Sequence, residues 1–183
     1  AAPAPAPTVT AGTTYEIDPV HTATVFKISH VGVSNFYGVF NKMTGSFTWD
    51  KASPESFSIT ATLDADSVST GNAARDGHLK KPDFFNAKEQ PTITFKSTAV
   101  KKTGENTFDV TGDLTLLGKT KPVTAKLTYI GEKDMGPQMG GYQAGFDAAF
   151  SIKRSDFGMT YGVAQGVLGD EVSLTIGLSG ARK

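Results

Sequence analysis

"SFSITATLD", residues 56–64, alternates without a break: Phe57, Ile59, Ala61 and Leu63 fall on one side of an extended chain, Ser58, Thr60 and Thr62 on the other. A period of two with β-branched residues is the signature of a strand with one buried face. The pattern recurs along the chain. Met43, Gly45, Phe47 and Trp49 share a face, as do Ile93, Phe95, Ser97 and Ala99, and Phe108, Val110, Gly112, Leu114 and Leu116. It returns at Val123 to Tyr129 through Leu127, at Ala144 to Ile152 through Phe146, Ala148 and Phe150, and at Val172 to Leu178 through Leu174 and Ile176. With an opening strand through Phe26, about eight strands are expected.

Between them lie glycine, asparagine and lysine clusters such as "KKTGENT" and "GEKDMGPQMGG", which are hairpin chemistry and imply an antiparallel meander. Amphipathic strands in this number must close into a barrel or fold into a sandwich. The stretch from Asp66 to Gln90 breaks the alternation, with a short helix expected around Asn72 to Leu79 that Pro82 would stop. One helical insert among short connections favours the barrel, plugged or lidded at one end. The expected fold is therefore all-β: an eight-stranded antiparallel barrel with a helical insert at about 66–90.

The totals bound the function. Eighteen basic residues balance eighteen acidic ones, so no net field draws in nucleic acid. Without cysteine there is no disulfide framework, thiolate nucleophile or Cys-type zinc site. No apolar run reaches the roughly 18–20 residues of a spanning helix, so no stable membrane insertion is expected. The opening "AAPAPAPTVTAGTT" reads as an Ala/Pro spacer over residues 1–13, ahead of a single domain from 14 to 183. A start at Ala-Ala suits a chain whose signal peptide has been removed, which favours a periplasmic or secreted location.

The strings that resemble catalytic motifs fail on spacing. "GDLTLLGKT" (112–120) misses the phosphate-loop pattern by one residue, and Pro122 stands where a helix should begin. The spacing of His21, His30 and His78 matches no zinc motif, and Asp64 with Asp66 reads as turn chemistry. No catalytic residue, metal or cofactor is expected from the chain itself.

The aromatic set remains. Twelve phenylalanines and one tryptophan fall mostly on the inward side. Either they fill the core or they wall a cavity for an apolar chain. For the second case the expected wall is Phe26, Ile28, Phe36, Phe40, Phe47 and Trp49, then Phe57, Ile59, Phe95, Leu114 and Leu116, and on the later strands Leu127, Phe146, Phe150, Leu174 and Ile176. His30, on the face of Phe26 and Ile28, is either a core histidine bonded to a backbone carbonyl or a donor to a ligand oxygen near the cavity mouth. His78, Phe84 and Phe85 fall in the insert. Gly45, Ala61, Ala125 and Ala148 mix small inward residues with large, which leaves room but equally suits a tapered core.

Four ordered blocks resemble one family: "YEIDPVHTATVFKISHVGVSNFYGVFNKMTGSF", "SVSTGNAARDGHLKKPDFFNAKEQPTITFKS", "VTGDLTLLGKTKPV" and "IKRSDFGM" are similar to the YceI-like, polyisoprenoid-binding proteins. Within the second block Arg75, Asp76, His78, Leu79, Asp83, Phe84, Phe85, Pro91 and Phe95 match the family pattern, while Tyr15 stands where the family often has Trp. The resemblance implies a lipocalin-like barrel in the periplasm holding an isoprenoid, a quinone-like lipid or a similar long amphiphile, with no reaction assigned. Storage or transport of such a lipid is the expected function. Rivals are a lipid-modifying enzyme using a histidine base and a stress-response barrel with a packed interior. An exposed mouth and free edges would also allow a homodimer.

Overall fold

The computed structural model describes residues 12–182, so the Ala/Pro spacer lies largely outside the described residues. Eleven strands form one antiparallel sheet: β1 (Thr13–Ile17), β2 (Ala23–His30), β3 (Ser34–Phe40), β4 (Met43–Trp49), β5 (Ser58–Asp64), β6 (Val68–Ser69), β7 (Thr92–Lys102), β8 (Thr107–Leu116), β9 (Lys119–Asp134), β10 (Tyr142–Lys153) and β11 (Leu168–Arg182). One helix, α1 (Ala73–Leu79), interrupts them.

Register reduces the eleven segments to eight positions. β1 pairs with Gly180–Arg182 and β2 with Leu168–Gly177 of the same strand β11, so β1 and β2 are two halves of one broken strand. β3 pairs with β2 while β4 pairs with β1, and β5 pairs with β4 while β6 pairs with β3. Each of the first three positions is thus filled by two short segments. The remaining five are single strands, each paired with its neighbour in the chain, and the β1–β11 pairing closes the ring. The eight-stranded closed barrel expected from the alternation is the fold observed.

Two details differ from the sequence expectation. Ser34–Phe40 is a strand of its own, joined to β2 through Val31 and Gly32 at positive φ (45° and 71°), a hairpin that no Asn-Gly or Asp-Gly marks. Strand structure also begins earlier than residue 14, since Thr13 already pairs with Trp49. The insert behaves as read: the Asn72 side chain caps α1 by accepting from the N–H of Arg75, and the helix stops before Pro82.

Meander topology places loops at two ends. The Val31–Val33 tip, the insert with α1, the Leu117–Gly118 turn and the 154–167 connection share one end; the hairpins after Trp49, Lys102 and Asp134 share the other.

A hollow barrel with an aromatic floor

The barrel interior is solid at one end and hollow at the other. Trp49, Phe108, Tyr129 and Phe146 stand near the strand ends remote from α1. There the rings meet: Trp49 stacks on Tyr129 at 4.9 Å and meets Phe146 edge-on at 5.0 Å, Phe57 is 5.2 Å from Phe146, and Phe47 lies 5.1 Å from Tyr15 with near-parallel planes. Phe47 and Phe146 are each 1% exposed. The indole N–H of Trp49 donates to the Glu132 carboxylate at 3.1 Å, a polar tie across 83 positions of chain. Burial, and then the Glu132 charge, push the Tyr15, Tyr129 and Tyr142 hydroxyls above their ordinary pKa.

Above this floor lies a cavity of about 380 Å³ with an overwhelmingly apolar wall. Of the residues expected there, Phe26, Ile28, His30, Phe36, Phe40, Phe57 and Ile59 do line it, with His78, Phe84, Phe85 and Phe95 on the insert side. Leu114, Leu116, Leu127, Phe150, Leu174 and Ile176 complete that set. Phe47, Trp49 and Phe146 do not. They face inward, as the alternation requires, but at the level where the rings close on one another.

The wall also holds residues that alternation missed. Arg75, Leu79 and Tyr161 come from the insert and the 154–167 connection, where no period of two exists to find them. Arg75, Leu79 and the "IKRSDFGM" stretch lay inside the family blocks, which was the only signal. Met43, Ala61, Leu63, Ala125 and Ala148 belong to the same inward faces as the expected wall.

His30 is not a core histidine. It stands exposed at the end of β2 and lines the cavity mouth; its carbonyl accepts from the Val33 N–H at 3.1 Å, while its imidazole makes no hydrogen bond among the described residues. From it a ring of contacts can be followed around the opening. His30 is the register partner of Leu168, whose N–H donates to Gly162 beside Tyr161; the Tyr161 ring lies 5.2 Å from His78. His78 and Arg75 are one turn apart on α1, and the Arg75 guanidinium sits 4.2 Å above Phe36, opposite Ile28 on β2. His78 is held by Asp83 at 2.9 Å and packs at 5.0 Å against Phe84. Thus α1 and Phe84 roof part of the mouth.

Arg154 organises the other side. Only 2% exposed, its guanidinium donates to four backbone carbonyls, those of Met159 (3.3 Å), Tyr161 (2.8 Å), Leu168 (3.3 Å) and Gly169 (2.8 Å). Burial lowers its pKa from the ordinary value, and the Asp170 charge works against that fall. Asp170 accepts from the N–H and hydroxyl of Ser155 at 2.9 and 2.8 Å. The 154–167 connection is therefore held to the start of β11 by the Arg154 and Asp170 side chains as well as by its own backbone turns, as buried backbone without a sheet partner requires.

Arg75, His30, His78 and Arg154 are the wall's nitrogen bases, and no carboxylate joins them. Among the described residues no group of three or more histidines, cysteines or carboxylates could hold a metal ion. His21 is apart from the cavity, 2.6 Å from Asp18 on the surface, so the three histidines do not converge. No helix among the described residues is long and apolar enough to cross a membrane.

A closed eight-stranded antiparallel barrel around an apolar cavity belongs to the class of small barrels with room for one small ligand. The YceI-like domain family matches residues 15–179, and the chain belongs to that family. It is 44% identical over 164 residues to a UPF0312 protein of Ectopseudomonas mendocina, spanning 89% of this chain and 83% of that one. A UPF0312 protein of Pseudomonas aeruginosa is 42% identical over 171 residues, spanning 92% and 87%. Among solved structures, Burkholderia cenocepacia BcnA superposes with a TM-score of 0.79 at 27% identity, covering 89% of this chain and 98% of that one. The YceI protein of Campylobacter jejuni does so at 0.74 and 33%, covering 86% and 90%. A domain from Saccharophagus degradans described as polyisoprenoid-binding shares the fold at 0.72 and 16% identity, covering 93% and 99%.

Proposed function

We propose that this protein binds an isoprenoid or a similar long-chain amphiphile in its barrel and stores or carries it, without making or breaking a bond, and that it does so in the periplasm. The observation that carries the reading is the hollow above the aromatic floor: about 380 Å³ of apolar space, within the size range of small-ligand pockets. Burying two five-carbon isoprene units there yields on the order of 8 kcal/mol. That gross figure corresponds to roughly micromolar affinity before ordering costs are subtracted. The tail therefore needs no charged partner, and the bases at the mouth suit a head group that accepts hydrogen bonds.

Support also comes from the polyisoprenoid-binding description of the Saccharophagus domain, which shares the fold. A packed-interior barrel does not match the cavity. For a histidine-based lipid enzyme the one supporting contact is the His78–Asp83 pair, which is set in an otherwise apolar wall where no carboxylate stands as a second catalytic group, so binding is the better-supported reading. The test is native mass spectrometry and solvent extraction of the purified protein, followed by uptake of added geranylgeraniol. Co-purified prenyl lipid or stoichiometric uptake is expected; a protein that carries no lipid and takes none up overturns the reading.

A further inference from the structure

Eight large hydrophobic side chains stand exposed among the described residues, and five of them gather on one flank of the cavity mouth. Val31 (46% exposed) and Val33 (83%) form the β2–β3 tip, and Tyr37 (56%) lies on the outer face of β3 just below it. Tyr161 (47%) and Val167 (40%) come from the 154–167 connection, which the tip touches directly through the Val31 N–H and the Val167 carbonyl at 2.8 Å.

The two segments that build this flank carry no Asp, Glu, Lys or Arg, over residues 28–41 in one and 157–169 in the other. In a chain where one residue in five is charged, two such stretches side by side leave a neutral apolar rim. Tyr161 and Val167 also line the cavity, so the rim and the cavity wall form one continuous apolar surface. Val31 presents its side chain there from a left-handed backbone (φ 45°), a conformation β-branched residues rarely adopt.

We infer that this flank docks on the surface of a lipid bilayer, the two valines and Tyr161 entering the interfacial region so that a tail passes between membrane and barrel without crossing water. The inference rests on the lipid-carrier reading. A bilayer is the fitting occupant because the rim runs unbroken into a lipid-sized apolar cavity, its two segments carry no Asp, Glu, Lys or Arg of their own and meet charge only where the Arg75 guanidinium lies over Phe36, and tyrosine rings stand beside small apolar tips, as in interfacial segments.

The test is co-sedimentation of the full chain with phosphatidylcholine vesicles, with and without phosphatidylglycerol, at low salt and in about 0.5 M NaCl, where exposed charges are screened. Binding to both vesicle types that survives salt is expected. Val31→Asn, which suits the left-handed backbone, together with Val33→Asp should weaken it about a hundredfold, roughly tenfold for each apolar side chain withdrawn. Met139→Asp, at the opposite end of the barrel, should leave it unchanged. Each variant is checked for folding by its uptake of geranylgeraniol dispersed from ethanol.

Binding to anionic vesicles alone and lost in salt, or a double variant that sediments like the parent, overturns the inference. So does a concentration-dependent dimer abolished by Val33→Asp, which assigns the rim to a second copy. A parent that takes up dispersed lipid but ignores vesicles overturns docking and leaves the carrier reading standing; one that sediments but takes up nothing overturns the carrier reading.

Discussion

The Phe26 ring lies flat on Gly38, its register partner across β2 and β3: a Cβ built on Gly38 would stand 2.2 Å from Cζ and 2.6 Å from Cε1 of that ring. Phe95 does the same over Gly112, where a Cβ would come within 2.4 Å of its Cζ. These glycines let two large rings lie against the wall instead of projecting to the barrel axis. Gly38→Ala should drive the Phe26 ring inward, destabilise the protein by about 1–3 kcal/mol as overpacking does, and reduce lipid uptake. A urea titration and a geranylgeraniol binding isotherm measure the two effects.

The wall has a gap that can be filled. Ala148 lines the cavity in the register row that joins Leu127, Ile176, Thr24 and Phe40. Ala148→Phe should occupy space a tail would use and weaken binding of geranylgeraniol at least tenfold, while unliganded stability holds or rises, since the ring buries apolar area in a space already present. Isothermal titration alongside thermal unfolding separates the two effects.

Breaking the floor should do the reverse. Trp49→Phe keeps the ring contacts with Tyr129 and Phe146 but removes the N–H that Glu132 accepts. A loss of about 1–3 kcal/mol is expected for a hydrogen bond to a carboxylate. Lipid affinity should not change, because Trp49 is not on the cavity wall.

Arg154→Met should be costly. It would take the guanidinium from four carbonyls, two on the connection and two at the start of β11, and a loss of about 3 kcal/mol is expected, with the 154–167 connection becoming sensitive to protease. Arg154→Lys should rescue little, because one ammonium cannot reach all four carbonyls in a planar fork.

Acid should loosen the same region. Burial alone would raise the Asp170 pKa, but the Ser155 hydroxyl and N–H, with the Arg154 charge, hold it below the ordinary carboxylate value. A depressed pKa contributes stability above the unfolded value of about 3.9 and loses it as pH falls through the folded value. The urea midpoint should therefore drop below about pH 4, and less steeply in Asp170→Asn than in the parent protein.

Local alternation was enough to read most of this architecture. Phe57, Ile59, Ala61 and Leu63 face inward as "SFSITATLD" requires, because side chains on a strand change side at every residue whatever the neighbours are. Asn72 and Pro82 bounded α1 through chemistry carried in the chain itself. The break between β2 and β3 was less legible, since Val31 and Gly32 turn the chain without a residue pair that announces it.

What alternation could not supply was height along the barrel. Trp49 and Phe26 carry the same inward signal, yet Trp49 closes the floor and Phe26 borders the hollow, because strand tilt and register decide which rings arrive at the same level. The mouth was further out of reach. Arg75 sits on the short helix α1, and Arg154 and Tyr161 on the connection between β10 and β11, where no period of two exists, and only closure of the barrel brings α1, the β2–β3 tip and the 154–167 connection around one opening. Inward or outward is a property of neighbouring residues; hollow or filled depends on distances between strands that are far apart in the chain.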